Sequence, residues 1–149
     1  MDLPKLNLPS ADLKIKLVGE SMQVFDQVRK KYFILTPEEW VRQNFIAYLN
    51  IHKGYPLGLM KVEKKLLYNG MLNRADIILY NTNGEPNMIV ECKSPEVNVN
   101  QQTFNQVSRY NSQLKVKFLV VTNGLKHFCC KINYNYNKIE FLNKIPFYI

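Results

Sequence analysis

Hydrophobic and polar positions alternate along three short N-terminal stretches, LKIKLV (13–18), MQVF (22–25) and KYFIL (31–35). A period of two predicts strands. Gly19-Glu20-Ser21 supplies one turn and the basic run Arg29, Lys30 and Lys31 the other connection, so a small β meander is expected. Residues 1–12, broken by proline and polar residues, read as an extended arm. The period then changes. Val41, Phe45, Tyr48 and Leu49 recur at helical spacing, which predicts a helix from Thr36 to about His52, stopped near Gly54. Its start is well marked: Thr36 can cap, Pro37 suits the first helical position, and Glu39 falls where a capping box places an acid. On a helical wheel Glu38 lies inside the apolar arc and Glu39 nearer its edge, which predicts Glu38 as an acid on the buried side.

Three longer strands follow: LMKVEKKLLY (59–68), RADIILYN (74–81) and MIVECK (88–93). Asn69-Gly70 and the TNGEP stretch (82–86) are tight-turn sequences, so these strands should form an antiparallel meander. After Pro95 the chain is rich in Gln, Asn and Ser. Phe104, Val107, Tyr110 and Leu114 stand at helical spacing, predicting a helix from about Asn100 to Leu114. KFLVVT (117–122) then reads as a buried strand ended by Asn123-Gly124, before HFCCKI (127–132) and KIEFL (138–142). A helix between MIVECK and KFLVVT is a crossover that can return the second strand parallel to the first. The expectation is an α/β fold, helix, three-strand meander, helix, strand, with a mixed sheet flanked by helices. All 149 residues suit one domain: an arm and meander over 1–35, a core over 36–132, and a last strand and tail over 133–149.

Composition narrows the function classes. No apolar run approaches the roughly 20 residues that span a bilayer, and the N-terminus lacks a signal peptide's basic and apolar regions. Three cysteines without framework spacing fit a reducing, cytoplasmic setting. His52 and His127 are far apart, which gives little support to a zinc site or a His-centred triad. A P-loop sequence is absent, so no nucleotide cofactor is expected. The formal charge of +8 favours a polyanionic partner, nucleic acid first.

Candidate chemistry gathers on MIVECKSP (88–95). In a strand Glu91 and Lys93 share a face and Cys92 points to the other. Charges at the end of an otherwise buried strand are costly unless used or neutralised. The TNGEP turn brings the start of RADIILYN to the end of MIVECK, so Asp76 should lie near Glu91 and Lys93. Two carboxylates at one sheet end suit Mg²⁺ with retained waters. A neighbouring lysine can steady negative charge developing on phosphate. Glu63 reads as a solvated strand residue with a supporting role as the alternative, and the three cysteines read as core or edge residues.

Asp76 followed by Glu91-Cys92-Lys93 resembles the PD-(D/E)XK nuclease signature, with Ala75 where the name-giving proline would stand. More narrowly, LTPEEWVRQ (35–43), GYP (54–56), Glu63, RAD (74–76), VECKSP (90–95), Gln106 with Tyr110, and VTNG (121–124) together resemble the N-terminal nuclease domain of type I restriction enzyme R subunits. The resemblance covers roughly residues 22–130. It implies a restriction-endonuclease-like αβββαβ core with an N-terminal β extension, and Mg²⁺-dependent DNA cleavage in which Mn²⁺ could substitute. Asp76 and Glu91 would be metal ligands, with the Cys92 backbone carbonyl as a third, and Lys93 the catalytic lysine. The first-helix acid would be Glu38, with Glu39 the alternate. Gln106 and Tyr110 resemble a QxxxY motif, which would position Lys93 or the phosphate. Partners would be DNA and other restriction or defence subunits. The competing reading is a non-catalytic nucleic-acid-binding or assembly module on the same fold.

Overall fold

The computed structural model describes residues 3–68, 71–108 and 115–149, without the side chains of 65–68, 71–74, 106 and 107. The N-terminal meander forms a three-stranded antiparallel sheet in the order β1 (Ile15–Val18), β2 (Ser21–Asp26), β3 (Lys31–Ile34). Helix α1 (Pro37–Ala47) follows, and its start is as expected: Thr36 Oγ1 accepts from Glu39 N at 3.0 Å. The predicted single helix to His52 is instead α1 followed by a π turn over Tyr48–His52. Gly54, at φ +80°, then turns the chain so that Tyr55 N reaches Leu49 O.

The main sheet has six strands in sequence order: β4 (Met60–Tyr68), β5 (Met71–Tyr80), β6 (Pro86–Cys92), β7 (Phe118–Thr122), β8 (His127–Asn133) and β9 (Lys138–Leu142). β6 and β7 run parallel, joined through α2 (Gln101–Ser108), and the remaining neighbours pair antiparallel. The result is a mixed α/β fold in the helix, meander, helix, strand order expected. The predicted Asn69-Gly70 turn and residues 109–114 of the predicted second helix lie outside the described residues.

Two apolar clusters sandwich the sheet. Val41 and Phe45 of α1 and Leu49 of the π turn pack with Ile77, Met88, Val90 and Cys92. Phe104 of α2 packs with Ile78, Ile89, Leu119 and Val121 on the other side. β6 therefore contributes to both clusters in alternation, which is why its sequence is continuously apolar rather than alternating. Cys129 and Cys130 divide between the clusters in the same way, and all three cysteines are free and buried. The N-terminal arm is pinned rather than loose: Leu6 is buried, Pro4 O accepts from the Trp40 indole, and Asn7 N bonds Gly124 O. None of the described helices is long and apolar enough to cross a membrane.

Candidate active site

The site forms where β5 begins and β6 ends. The TNGEP turn is built as its sequence demands, with Asn81 Oδ1 accepting from Asn83 N and Glu85 N and Gly84 at φ +79°. It sets Ile77 opposite Val90, which brings Asp76 level with Glu91 and Cys92. Asp76 Oδ2 accepts from Cys92 N at 2.8 Å. Asp76 stands close enough to Glu91 for its charge to disfavour an ionised Glu91. Lys93 Nζ sits 3.0 Å from Glu91 Oε1. The three residues expected to meet at this sheet end do meet.

Their electrostatics follow from crowding. Burial, and then the charge of Asp76, push the Glu91 carboxyl up to about 8 despite Lys93. Glu91 thus favours its protonated form at neutral pH unless a cation replaces the proton. Burial disfavours a charged Lys93, but Glu91 and Asp76 outweigh it and hold the amine protonated above its ordinary value. The Cys92 thiol, fully enclosed, is pushed well above its usual range by burial and then by Asp76, and is inert as a nucleophile.

The helix acids depart from the wheel. Glu38 is the more exposed side chain, at 48%, and Glu39 is buried, at 6%. The expectation that Glu38 occupies the buried side is therefore corrected. The wheel assumed that α1 buries one apolar face, yet Glu39, Arg42 and Gln43 are also buried, against a polar anchor from β2 and the turn after it. Asp26 accepts from Val28 N, Arg29 N, Arg29 Nε and Gln43 Nε2. Arg29 continues to Glu39 Oε1 at 2.8 Å. Glu38 nonetheless faces the site. Burial, then Asp76, raise its carboxyl above the ordinary value against the pull of Arg42 and Lys93.

Two arginines absent from the sequence-predicted set join these groups. Arg42 Nη2 donates to Asp76 Oδ1 at 2.7 Å and to Glu38 Oε1 at 2.9 Å, while Nη1 donates to Glu39 Oε1 at 2.8 Å. Glu63 lies 3.4 Å from both Arg29 and Arg42, so it belongs to this ion network and is not the solvated strand residue expected. Its φ of +53° marks an irregularity in β4 directly beside Asp76; a non-glycine residue there carries strain. The signal available in the sequence was the i, i+4 pairing of Glu38 and the i, i+3 pairing of Glu39 with Arg42.

Gln106 lies in α2, and its side chain is outside the described set, as is the whole of Tyr110. The VTNG stretch serves the turn after β7: Thr122 Oγ1 accepts from Gly124 N, and Asn123 binds Val97 O, Leu125 N and Lys126 N. His127 is likewise structural, between Thr122 Oγ1 and Asn7 O. Among the described residues no three His, Cys, Asp or Glu side chains converge on one metal point. The residues still fit a hard cation in one respect: Asp76 and Glu91 are adjacent oxygen donors, and burial and the charge of Asp76 disfavour an ionised Glu91 until further positive charge offsets them. Such a cation would rest on Asp76 and Glu91, completed by main-chain oxygen and water.

Comparison with known proteins agrees with this architecture. A fragment of a protein assigned as the HsdR subunit of a type I restriction enzyme from Vibrio vulnificus YJ016 superposes with a TM-score of 0.53 at 20% identity. The match covers 76% of this chain and 24% of that one, so the match spans about a quarter of that fragment's length. No curated protein sequence matches significantly. Residues 37–146 match the family described as type I restriction enzyme R protein N terminus (HSDR_N), and the chain belongs to that family.

Proposed function

We propose that this chain is a PD-(D/E)XK nuclease domain with a restriction-endonuclease-like core, hydrolysing DNA phosphodiesters with Mg²⁺, or Mn²⁺ in its place. The observation that carries this reading is the convergence of Asp76, Glu91 and protonated Lys93 at one end of the central sheet. Asp76 and Glu91 would hold the cation, with the Cys92 carbonyl as a third ligand. When bound, the cation supplies charge neutralisation at the phosphate and makes water a better nucleophile.

The chain's own groups supply the rest. The Cys92 N–H fixes one oxygen of Asp76 so that its carboxyl stays turned toward Glu91. Lys93, half-buried and cationic, faces negative charge growing on the phosphate, and such preorganised charge is worth more where water is scarce. Glu38 is the helix acid on the same side and would serve as an outer acceptor for a water. Gln106 and Tyr110 would position Lys93 or the phosphate. The formal charge of +8 supports a DNA partner whose binding weakens with salt. Other subunits of a restriction or defence complex would be the protein partners.

The test is cleavage of supercoiled plasmid and of single-stranded DNA with Mg²⁺ or Mn²⁺, with and without partner subunits. Lys93→Ala and Asp76→Ala should each lower the rate by about a hundredfold or more. Cleavage that survives in both variants sinks the assignment. Salt-sensitive DNA binding without cleavage under any of these conditions would favour the non-catalytic module.

A further inference from the structure

We propose that Arg42 is a positioning residue for Asp76 and an internal competitor for its metal, held in place by the N-terminal sheet. The inference rests on the metal-binding reading above and goes beyond it. Both oxygens of Asp76 are taken by protein donors. Cys92 N–H holds Oδ2 at 2.8 Å, and the Arg42 guanidinium holds Oδ1 at 2.7 Å. A divalent cation at Asp76 therefore meets a second positive group on the same carboxylate, and like charges a few ångströms apart repel strongly in a buried setting.

Arg42 is not a surface side chain that could swing away at no cost. Its side chain is 4% exposed, and among the described residues its Nε has no hydrogen-bond partner. An orphaned buried donor is costly, so the guanidinium sits where its acids put it and not where its own fork is best satisfied. Those acids are fixed from elsewhere. Glu39 is shared between Arg42 and Arg29, each at 2.8 Å. Arg29 is bound to Asp26 of β2 at 2.6 Å and sits over Phe33 of β3, its Cζ 3.4 Å from the ring centre. The relay Asp26, Arg29, Glu39, Arg42, Asp76 is continuous. Its first two members lie in residues that precede the 37–146 family match. The N-terminal sheet and its turn thus set the cation that orients Asp76, and the same cation keeps divalent affinity low.

The test is metal binding on the intact chain, with Mn²⁺ followed by electron paramagnetic resonance and Mg²⁺ by calorimetry. Arg42→Met keeps the volume and removes the charge, and should bind Mn²⁺ at least about tenfold more tightly than wild type. Arg42→Lys keeps the charge and should stay close to wild type, and Asp76→Asn should lose the site. Equal or weaker binding by a folded Arg42→Met, with Asp76-dependent binding by wild type, overturns the role of Arg42 and leaves the nuclease reading standing. Binding by wild type that Asp76→Asn does not diminish overturns both. A second measurement needs no variant: the Arg42 Nε–H resonance of the wild-type protein should shift on saturation with Mg²⁺. A resonance unmoved at saturation also refutes the proposal.

Discussion

Replacing Glu91 by glutamine tests the physical premise of the site without requiring activity. In the metal-free protein Glu91 is raised from 4.5 to about 8, by burial first and the charge of Asp76 second. The folded state therefore keeps a proton that the unfolded chain has already released. This stabilisation is complete below about pH 4.5 and is lost as pH rises through about 8. Between pH 6 and pH 9 the wild type should lose about 3 kcal/mol from this group alone. Glu91→Gln has nothing to titrate there, so its stability relative to wild type should rise by about 3 kcal/mol over that range. For a chain of this size that is roughly 5–10 °C in Tm. The assay is thermal unfolding of both proteins in EDTA at the two pH values. Titrating groups other than its neighbours Asp76 and Lys93 are common to both and cancel. A stability difference that is the same at pH 6 and pH 9 would show that Glu91 is ionised in the folded, metal-free protein, and the crowded-carboxyl argument would fail. Mg²⁺ at pH 8 should raise the wild-type Tm and flatten its pH dependence, because the cation replaces the proton.

Three further outcomes concern the scaffold, each read by chemical denaturation. Asp26→Ala removes the anchor of Arg29 and Gln43 from a fully buried position and should cost about 3–5 kcal/mol; a loss under 1 kcal/mol would mean the relay is ornamental. Burial would raise the Asp26 carboxyl, but bonds from Arg29, Gln43 and Val28 outweigh it and lower it. Its stabilisation is thus present above the usual carboxylate range and is lost as pH falls through the depressed value. Gly124→Ala should cost about 1–3 kcal/mol, since φ is +85° and a Cβ would stand 2.7 Å from Leu6 Cδ2. Thr36→Ala removes the cap of α1 and should cost about 1 kcal/mol.

Periodicity and turn residues together were enough to order the elements of this chain, because strand and helix periods differ and the turns carry their own residues. The same logic reached Asp76, Glu91 and Lys93. A tight turn with Asn81 and Gly84 leaves almost no freedom in how two strands face each other, and alternation then decides which side chains share a face. The helix acids could not be settled in this way. A wheel knows only which positions on one helix are apolar, while α1 is buried on two sides, one against the sheet and one against charges from β2 and the turn after it. Glu39 is buried because Arg29 meets it there, and Glu38 is exposed because its side of the helix opens toward the site. Arg42 was only half legible: its spacing from Glu38 and Glu39 marks local pairing, but not its reach to the sheet. Its partners Glu63 and Asp76 come from other elements, and no local pattern brings a guanidinium onto a carboxylate 34 residues away. Sequence determined the elements and the strand pair that carries the candidate site through local spacing. Only tertiary packing decided which charges meet, because that depends on faces supplied by distant parts of the chain.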